Sequence, residues 1–343
     1  MFKERREIIF VGFIVLLFAA ILLSLSCGQY ELSLLQVAAS LAHYFDLPWL
    51  GDVVLTPEQE AVLWHIRMPR TLVGLMVGAG LAVSGAVLQG LFSNPLADPG
   101  IIGVSSGASL GAVVAIASGL TGAAMWGLPA CAFAGAVAAC LLTVSLAMRR
   151  GRIPVLPLLL AGVVVGMLLA AVTAMMLTVV SEQKLTEYLF WTIGGLDYRR
   201  WEHVLLGGVP IGLGITAMLL LARHLNVLAL GDQEAGAVGM SVMRYRILFL
   251  GLAAMTTAAG VCVSGNIGFV GLVVPHAIRL LIGSDHRYLL PYSLLAGGSF
   301  LVLCDSLGRV LWPGGEIRAG IMTALLGTPY FLFLLRRMQQ ENQ

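Results

Sequence analysis

Apolar runs separated by short polar stretches recur along the whole chain, over roughly 8–26, 71–91, 101–118, 127–148, 155–180, 203–222, 246–263, 268–283, 289–307 and 319–335. About 20 apolar residues cross a bilayer as a helix. Lipid offers a backbone no hydrogen-bond partner outside its own segment, so each run predicts a helix. The pattern therefore predicts an all-α, polytopic membrane protein of about ten transmembrane helices, with both termini on one side. The 268–283 run is the weakest member, short and with Pro275 and His276 at its middle. Such a segment is tolerated where surrounding protein shields its freed carbonyls. Without it the count is odd and the basic C-terminus is stranded on the far side.

Composition supports the same class. Of 343 residues, 59% are hydrophobic and 11% charged, whereas soluble domains carry roughly 25% charged residues. The net charge of +2 leaves no basic excess for nucleic acid. The first run follows Lys3, Arg5 and Arg6 and precedes Cys27, so it could pass for a lipoprotein signal. At 19 residues it is longer than a signal core of about 7–15 residues, and it reads as a first transmembrane helix entered from the cytoplasm. With ten spans, 13 of the 20 lysines and arginines fall on the side of the termini. The other seven are Arg67, Arg70, Lys184, Arg199, Arg200, Arg309 and Arg318. Basic residues concentrate in cytoplasmic loops, which places both termini in the cytoplasm.

Three connections exceed a short turn. The outer ones are 27–70, with an amphipathic stretch near Leu32–Phe45, and 181–202, ending in GGLDYRRW; the inner one is 223–245, which contains ALGDQEAGAVGM. No low-complexity tract or linker divides the chain, so 1–343 reads as a single transmembrane domain. Small residues recur four apart at Gly74 and Gly78, at Gly103, Gly107 and Gly111, at Gly162 and Gly166, and at Gly208 and Gly212. In lipid this spacing lets helix backbones approach closely. Five cysteines without paired spacing argue against a disulfide framework.

A charge at the bilayer centre costs about 2.5–3.5 kcal/mol on insertion scales, so its presence calls for a reason. The runs are almost free of charges. Asp305 and Arg309, four apart at the end of the ninth run, are placed to pair, and Glu316 and Arg318 flank the start of the tenth. An ion-coupled carrier needs an intramembrane carboxylate or an ion-binding unwound helix, and neither is evident. His276 is the one histidine deep in a run, and it reads as a buried imidazole rather than a haem or metal ligand. There is no HExxH, CxxC, GxSxG or GxxxxGK[ST] pattern. The chain therefore reads as no enzyme, without metal site or cofactor, and any transport it performs draws energy from elsewhere.

Several stretches taken together resemble a known family. RMPRTL (67–72) precedes GAGLAVSGAVLQGLFSNPLADPGIIGVSSGASLG (78–111). The ALGDQEAGAVGM loop (229–240), GNIGFVGLVVPHAIRLLIGSDHRYLLP (265–291) and GGEIRAGIMTALLGTPYFLFLL (314–335) follow in order. The chain resembles the permease subunits of ATP-binding-cassette importers for iron–siderophore complexes, haem and vitamin B12. The resemblance implies a homodimer in the cytoplasmic (inner) membrane of a bacterium or archaeon. It further implies two cytoplasmic ATPase subunits and a substrate-binding protein docking outside.

The resemblance also implies roles for particular residues. Arg67, Arg70 and Arg309 correspond to positions that receive acidic residues of the binding protein, a task suited to the planar, permanently charged guanidinium. The loop carrying Gly231, Asp232, Glu234, Gly236 and Gly239 corresponds to the element that seats in the ATPase, and reads as a short helix pair. Asn94, Pro95 and Leu96 correspond to a gate at the cytoplasmic mouth. Pro95 and Pro99 dictate an irregular turn there in any case. The apolar runs 155–180 and 319–335 are implied to line the path. An iron chelate (siderophore or haem) is the expected cargo, with a corrinoid as the alternative. Three further readings are an ion-driven secondary carrier, an ABC permease for free divalent metal, and a receptor or structural membrane protein. The first two lack side chains they need, and co-purification of an ATPase separates the third.

Overall fold

The computed structural model describes residues 2–30, 32–44, 46, 53, 55–149, 153–312 and 314–341. The chain is all-α, and a helix forms at each of the ten apolar runs. In order, the α-helices of the described residues are α1 (Phe2–Ser26), α2 (Leu34–Tyr44), α3 (Pro57–Ala61), α4 (Met68–Leu91), α5 (Val104–Ser118), α6 (Leu120–Ala123), α7 (Gly127–Ala147) and α8 (Val155–Leu177). Then follow α9 (Glu182–Ile193), α10 (Trp201–Leu220), α11 (Ala222–Leu228), α12 (Asp232–Ala237), α13 (Val242–Ser264), α14 (Val270–Ile282), α15 (His286–Val310) and α16 (Ala319–Glu341). Among the described residues, seven helices are long and apolar enough to cross a membrane. The apolar helices α5 and α14 are shorter, and the apolar stretch of α16 covers 319–333.

Several boundaries depart from the periodicity reading for local reasons. Thr56 and Gln59 close a reciprocal capping box ahead of Pro57, which starts a helix well before residue 71. That helix passes through a π-helical stretch, Val62–Arg67, straight into α4. Arg67 and Arg70 consequently sit within a continuous helix rather than in a connection. After α4, Asp98 caps a single 3₁₀ turn, Pro99–Ile102, by accepting from the Gly100 N–H at 2.8 Å. Gly103, left-handed at φ 85°, then redirects the chain into α5. The run at 101–118 thereby loses its first turn. The 181–202 connection is mostly helix α9, and the expected amphipathic stretch is α2.

α4 is the axis of the molecule. Of its most apolar window 83% is buried, against 17% for α1 and α8, and α10, α13, α14 and α15 pack around it. Close approach depends on glycine. A Cβ on Gly78 would strike the Gly297 carbonyl of α15, and one on Gly85 would strike the Gly271 carbonyl of α14. Gly107 and Gly135 similarly hold α5 against α7, whereas Gly212 faces open space. The short α14 is one continuous helix despite Pro275 within it, and it packs against α4, α15 and α16. α4 and α15 run antiparallel, so the molecule has two ends. Arg70 and Asp305 mark one; Gly90 and His286 mark the other.

Candidate functional site

The Arg70 end is a compact knot of charge. Arg70 grips Asp305 through two parallel bonds, Nε to Oδ2 at 2.9 Å and Nη2 to Oδ1 at 2.8 Å. Its remaining nitrogen, Nη1, donates to Glu316 Oε2 at 2.8 Å. Asp305 also pairs with Arg309 at 3.3 Å, one turn along α15. Arg309 donates to the Ser24 and Cys27 carbonyls at 3.0 Å and to the Ser24 and Ser306 hydroxyls. Arg67 donates to the Leu25 and Ser26 carbonyls at 2.7 Å and to the Tyr30 carbonyl. The Ser24, Leu25 and Ser26 carbonyls end α1 and have no partner in their own helix, so the guanidinium groups serve as its cap. Buried charge is costly unless it is paired or hydrogen-bonded: Arg70 and Arg309 share Asp305, and Arg67 is held by carbonyls.

The structure thus brings Arg67, Arg70 and Arg309 together, as one site requires, but at 4%, 7% and 6% exposure they face inward. The expected Asp305–Arg309 pair exists, yet Asp305's tighter partner is Arg70, 235 residues away. Arg318 pairs with Asp197 at 2.9 Å. No local spacing announces these long-range pairs. The available signal was opposite charges at the ends of apolar runs, where each needs a partner.

The opposite end holds the 223–245 connection. α11 and α12 form the short helix pair, displaced toward the N-terminus from the 229–240 reading. Gly231 (φ 121°) and Gly239 (φ 81°) bracket α12 in conformations that other residues rarely adopt. Ala235 is fully buried, while Asp232, Glu234 and Gly236 are exposed, with Leu230 and Val238 at 70% and 72%. Arg246 on α13 ties the element down. It donates to both Asp232 oxygens, at 2.6 and 3.1 Å, and to the Ile153 carbonyl. Nearby, Asn226 of α11 accepts from the His286 backbone and donates to Asp285 at 2.7 Å, fixing α11 to the start of α15. Hydrogen bonds from Arg287 hold the Asp285 carboxyl well below the usual carboxylate range.

Asn94, Pro95 and Leu96 lie half-buried just after α4. Asn94 closes the turn on itself: its Oδ1 accepts from the Leu96 N–H at 2.9 Å, and its own N–H donates to the Gln89 carbonyl at 3.1 Å. The Gln89 side chain donates to the Leu272 carbonyl of α14 and accepts from Arg279. The turn is therefore linked to α14. The predicted path segments are exposed along part of their surface, as α1 and α10 also are. α8 buries Leu158, Gly162, Val165 and Thr173 but leaves Val164 and Met167 at 62% and 70%, and Leu325 of α16 is 60% exposed. His276 has no hydrogen-bond partner for Nδ1 among the described residues. Among those residues no cluster of histidine, cysteine and carboxylate side chains could hold a metal ion.

The FecCD transport family profile matches residues 16–337, nearly the whole chain. The chain belongs to the FecCD transport family. It is 46% identical, over 81% of its length and 74% of the relative's, to the cobalamin import system permease protein BtuC of Halobacterium salinarum. It is 41% identical to the hemin transport system permease protein HmuU of Yersinia pestis, covering 82% of this chain and 86% of that one. Its fold is similar to an inward-facing conformation of a metal-chelate type ABC transporter. That match has a TM-score of 0.84 and 34% identity, and covers 96% of this chain and 99% of the other. The chain is thus an ABC importer permease, a class that works with ATPase and binding-protein partners.

Proposed function

We propose that the chain is the membrane-spanning half of a homodimeric importer carrying an iron chelate (siderophore or haem) or a corrinoid across the cytoplasmic membrane. ATP is hydrolysed in separate subunits. The observation that supports this most directly is the chain-long likeness to a metal-chelate type transporter, joined by relatives named for cobalamin and hemin. All ten helices span, in this reading, with both termini inside, and 1–343 forms one permease domain. The exposed faces of α8 and α16 border the path between two copies; an apolar wall lets a bulky chelate slide without being trapped.

In this reading the Arg70 end is outside and the α12 end inside. The ATPase grips the surface of Gly231, Asp232, Glu234, Gly236 and Gly239, a short rigid element joined to two long helices, and its closure moves them. Asn94, Pro95 and Leu96 gate the inner mouth through the Gln89 link to α14. The binding protein docks on the knot of Arg67, Arg70 and Arg309. Glu316 is 32% exposed, so a carboxylate of the partner can replace it on Arg70, like for like, without leaving a buried charge bare. Vesicles containing the chain with its ATPase and binding protein test the reading. ATP inside should drive uptake of labelled cobalamin, haem or a ferric siderophore, and uptake of none of them under ATP contradicts it.

A further inference from the structure

Beside the charge knot lies a cavity of about 610 Å³, within the range of about 300–1,000 Å³ common for small-molecule sites. Four guanidinium groups line it, Arg70, Arg199, Arg200 and Arg318, against two carboxylates, Asp197 and Glu316. Both carboxylates are already engaged. Glu316 accepts from Arg70 at 2.8 Å, and Asp197 pairs with Arg318 at 2.9 Å. Arg318 also donates to the Phe190 carbonyl and lies over the Phe190 ring.

Arg199 and Arg200 are left over. Neither has a carboxylate within ion-pair distance among the described residues. Arg199 makes one long bond to the Gly195 carbonyl at 3.5 Å, and its Nε is buried without a partner. Burial is the main reason its pKa is drawn below the ordinary arginine value; Asp197 opposes the shift and Arg318 reinforces it. Arg200 is exposed, with its backbone N–H on His203. A tight turn sets these cations in place. Gly194 (φ 74°) and Tyr198 (φ 59°) both adopt left-handed backbone, and Tyr198 extends its ring to 88% exposure beside them. A left-handed non-glycine residue at a functional surface is strain held by its surroundings.

A built concavity with two unmatched guanidinium groups is a receptor for oxyanions. We infer that this vestibule selects a multiply anionic metal chelate, one whose carboxylates or catecholates reach Arg199 and Arg200. The inference rests on the importer reading and narrows it from chelates in general to anionic ones. A small ligand suits the geometry better than a docking protein does, because Arg199 and Arg200 line one concavity together with Arg70 and Arg318.

Equilibrium binding to the permease–ATPase complex in nanodiscs, without binding protein and corrected for empty discs, tests it. The probes are haem and a ferric tricatecholate as anions, cyanocobalamin as a neutral compound and a ferric trihydroxamate cation. The complex should prefer both anions and bind them more weakly as salt rises. Arg199→Gln with Arg200→Gln should weaken anion binding roughly tenfold to a hundredfold, the loss of one or two charge-assisted bonds. If the double variant does not fold, Arg200→Gln alone, on an exposed side chain, should still weaken anion binding several-fold. Equal binding of all four probes, or anion binding unaltered in the variants, overturns the inference. So does loss of binding-protein affinity alone, which would assign these arginines to protein docking. ATP-driven uptake is read separately. Its absence for every chelate sinks the importer reading, whereas uptake without anion preference sinks only this one.

Discussion

The two ends of the bundle handle charge in opposite ways. At the Arg70 end, Asp305 and three arginines are buried, and their bonds tie α1, α4 and α15 to the residues leading into α16. At the α12 end, one arginine, Arg246, reaches out to an aspartate whose side chain is 54% exposed. Burial converts the first arrangement into a fixed joint, since any member left alone is a bare charge in a dry setting. Exposure leaves the second a light tether that a partner protein can load. In the importer reading proposed above, the contrast suits an outer face that keeps its shape and an inner element that moves with the ATPase.

The comparison breaks most visibly if Asp305 is removed. Asp305→Ala leaves Arg70 and Arg309 without their shared carboxylate and should cost about 3–5 kcal/mol, the loss expected on breaking a buried pair. Thermal unfolding in detergent reads it, and a loss below about 1 kcal/mol, the scale of an exposed pair, would show that the knot is no joint. Gly85→Val comes next. Its side chain must displace the Gly271 carbonyl, and overpacking of this kind costs about 1–3 kcal/mol, read by the same melt.

Asp232→Asn should change stability by about 1 kcal/mol or less, because the aspartate is half in water. Substrate-stimulated ATP hydrolysis should nevertheless fall in the assembled complex, and full coupling would remove α12 from the transmission. Glu316→Gln should be the mildest. It frees one nitrogen of Arg70 with little effect on the melt, and tightens binding-protein docking by roughly the value of an exposed ion pair, about 0–1 kcal/mol. Weaker docking would show that Glu316 itself contacts the partner.

Much of this was legible in the residues. Each apolar run became a helix because lipid leaves the backbone no other solution, and the glycine spacing at Gly78 and Gly107 marks real helix crossings. The proline- and glycine-rich motifs located the turn at Asn94 and the loop at Gly231. What stayed hidden was tertiary. Thr56 and Gln59 extend a helix past the end of its apolar run, so Arg67 and Arg70 were placed in a connection. The partner of Arg70 lies on α15 and that of Arg318 before α10, pairings that no periodicity encodes. Local spacing found Asp305–Arg309, the weaker of the two bonds that Asp305 makes. Arg199 and Arg200 read only as charges on the outer side; that neither has a carboxylate partner among the described residues is a property of the tertiary fold.

In the reading proposed above, this chain is a passive conduit worked by a separate nucleotide-hydrolysing engine. Proteoliposomes holding the purified chain, with and without its ATPase, test it most directly when chelate accumulation is followed under ATP and under a proton or sodium gradient. The account predicts accumulation only where ATPase and ATP are both present, and no ATP hydrolysis by the chain alone. Accumulation by the chain alone, driven by an ion gradient, would contradict it.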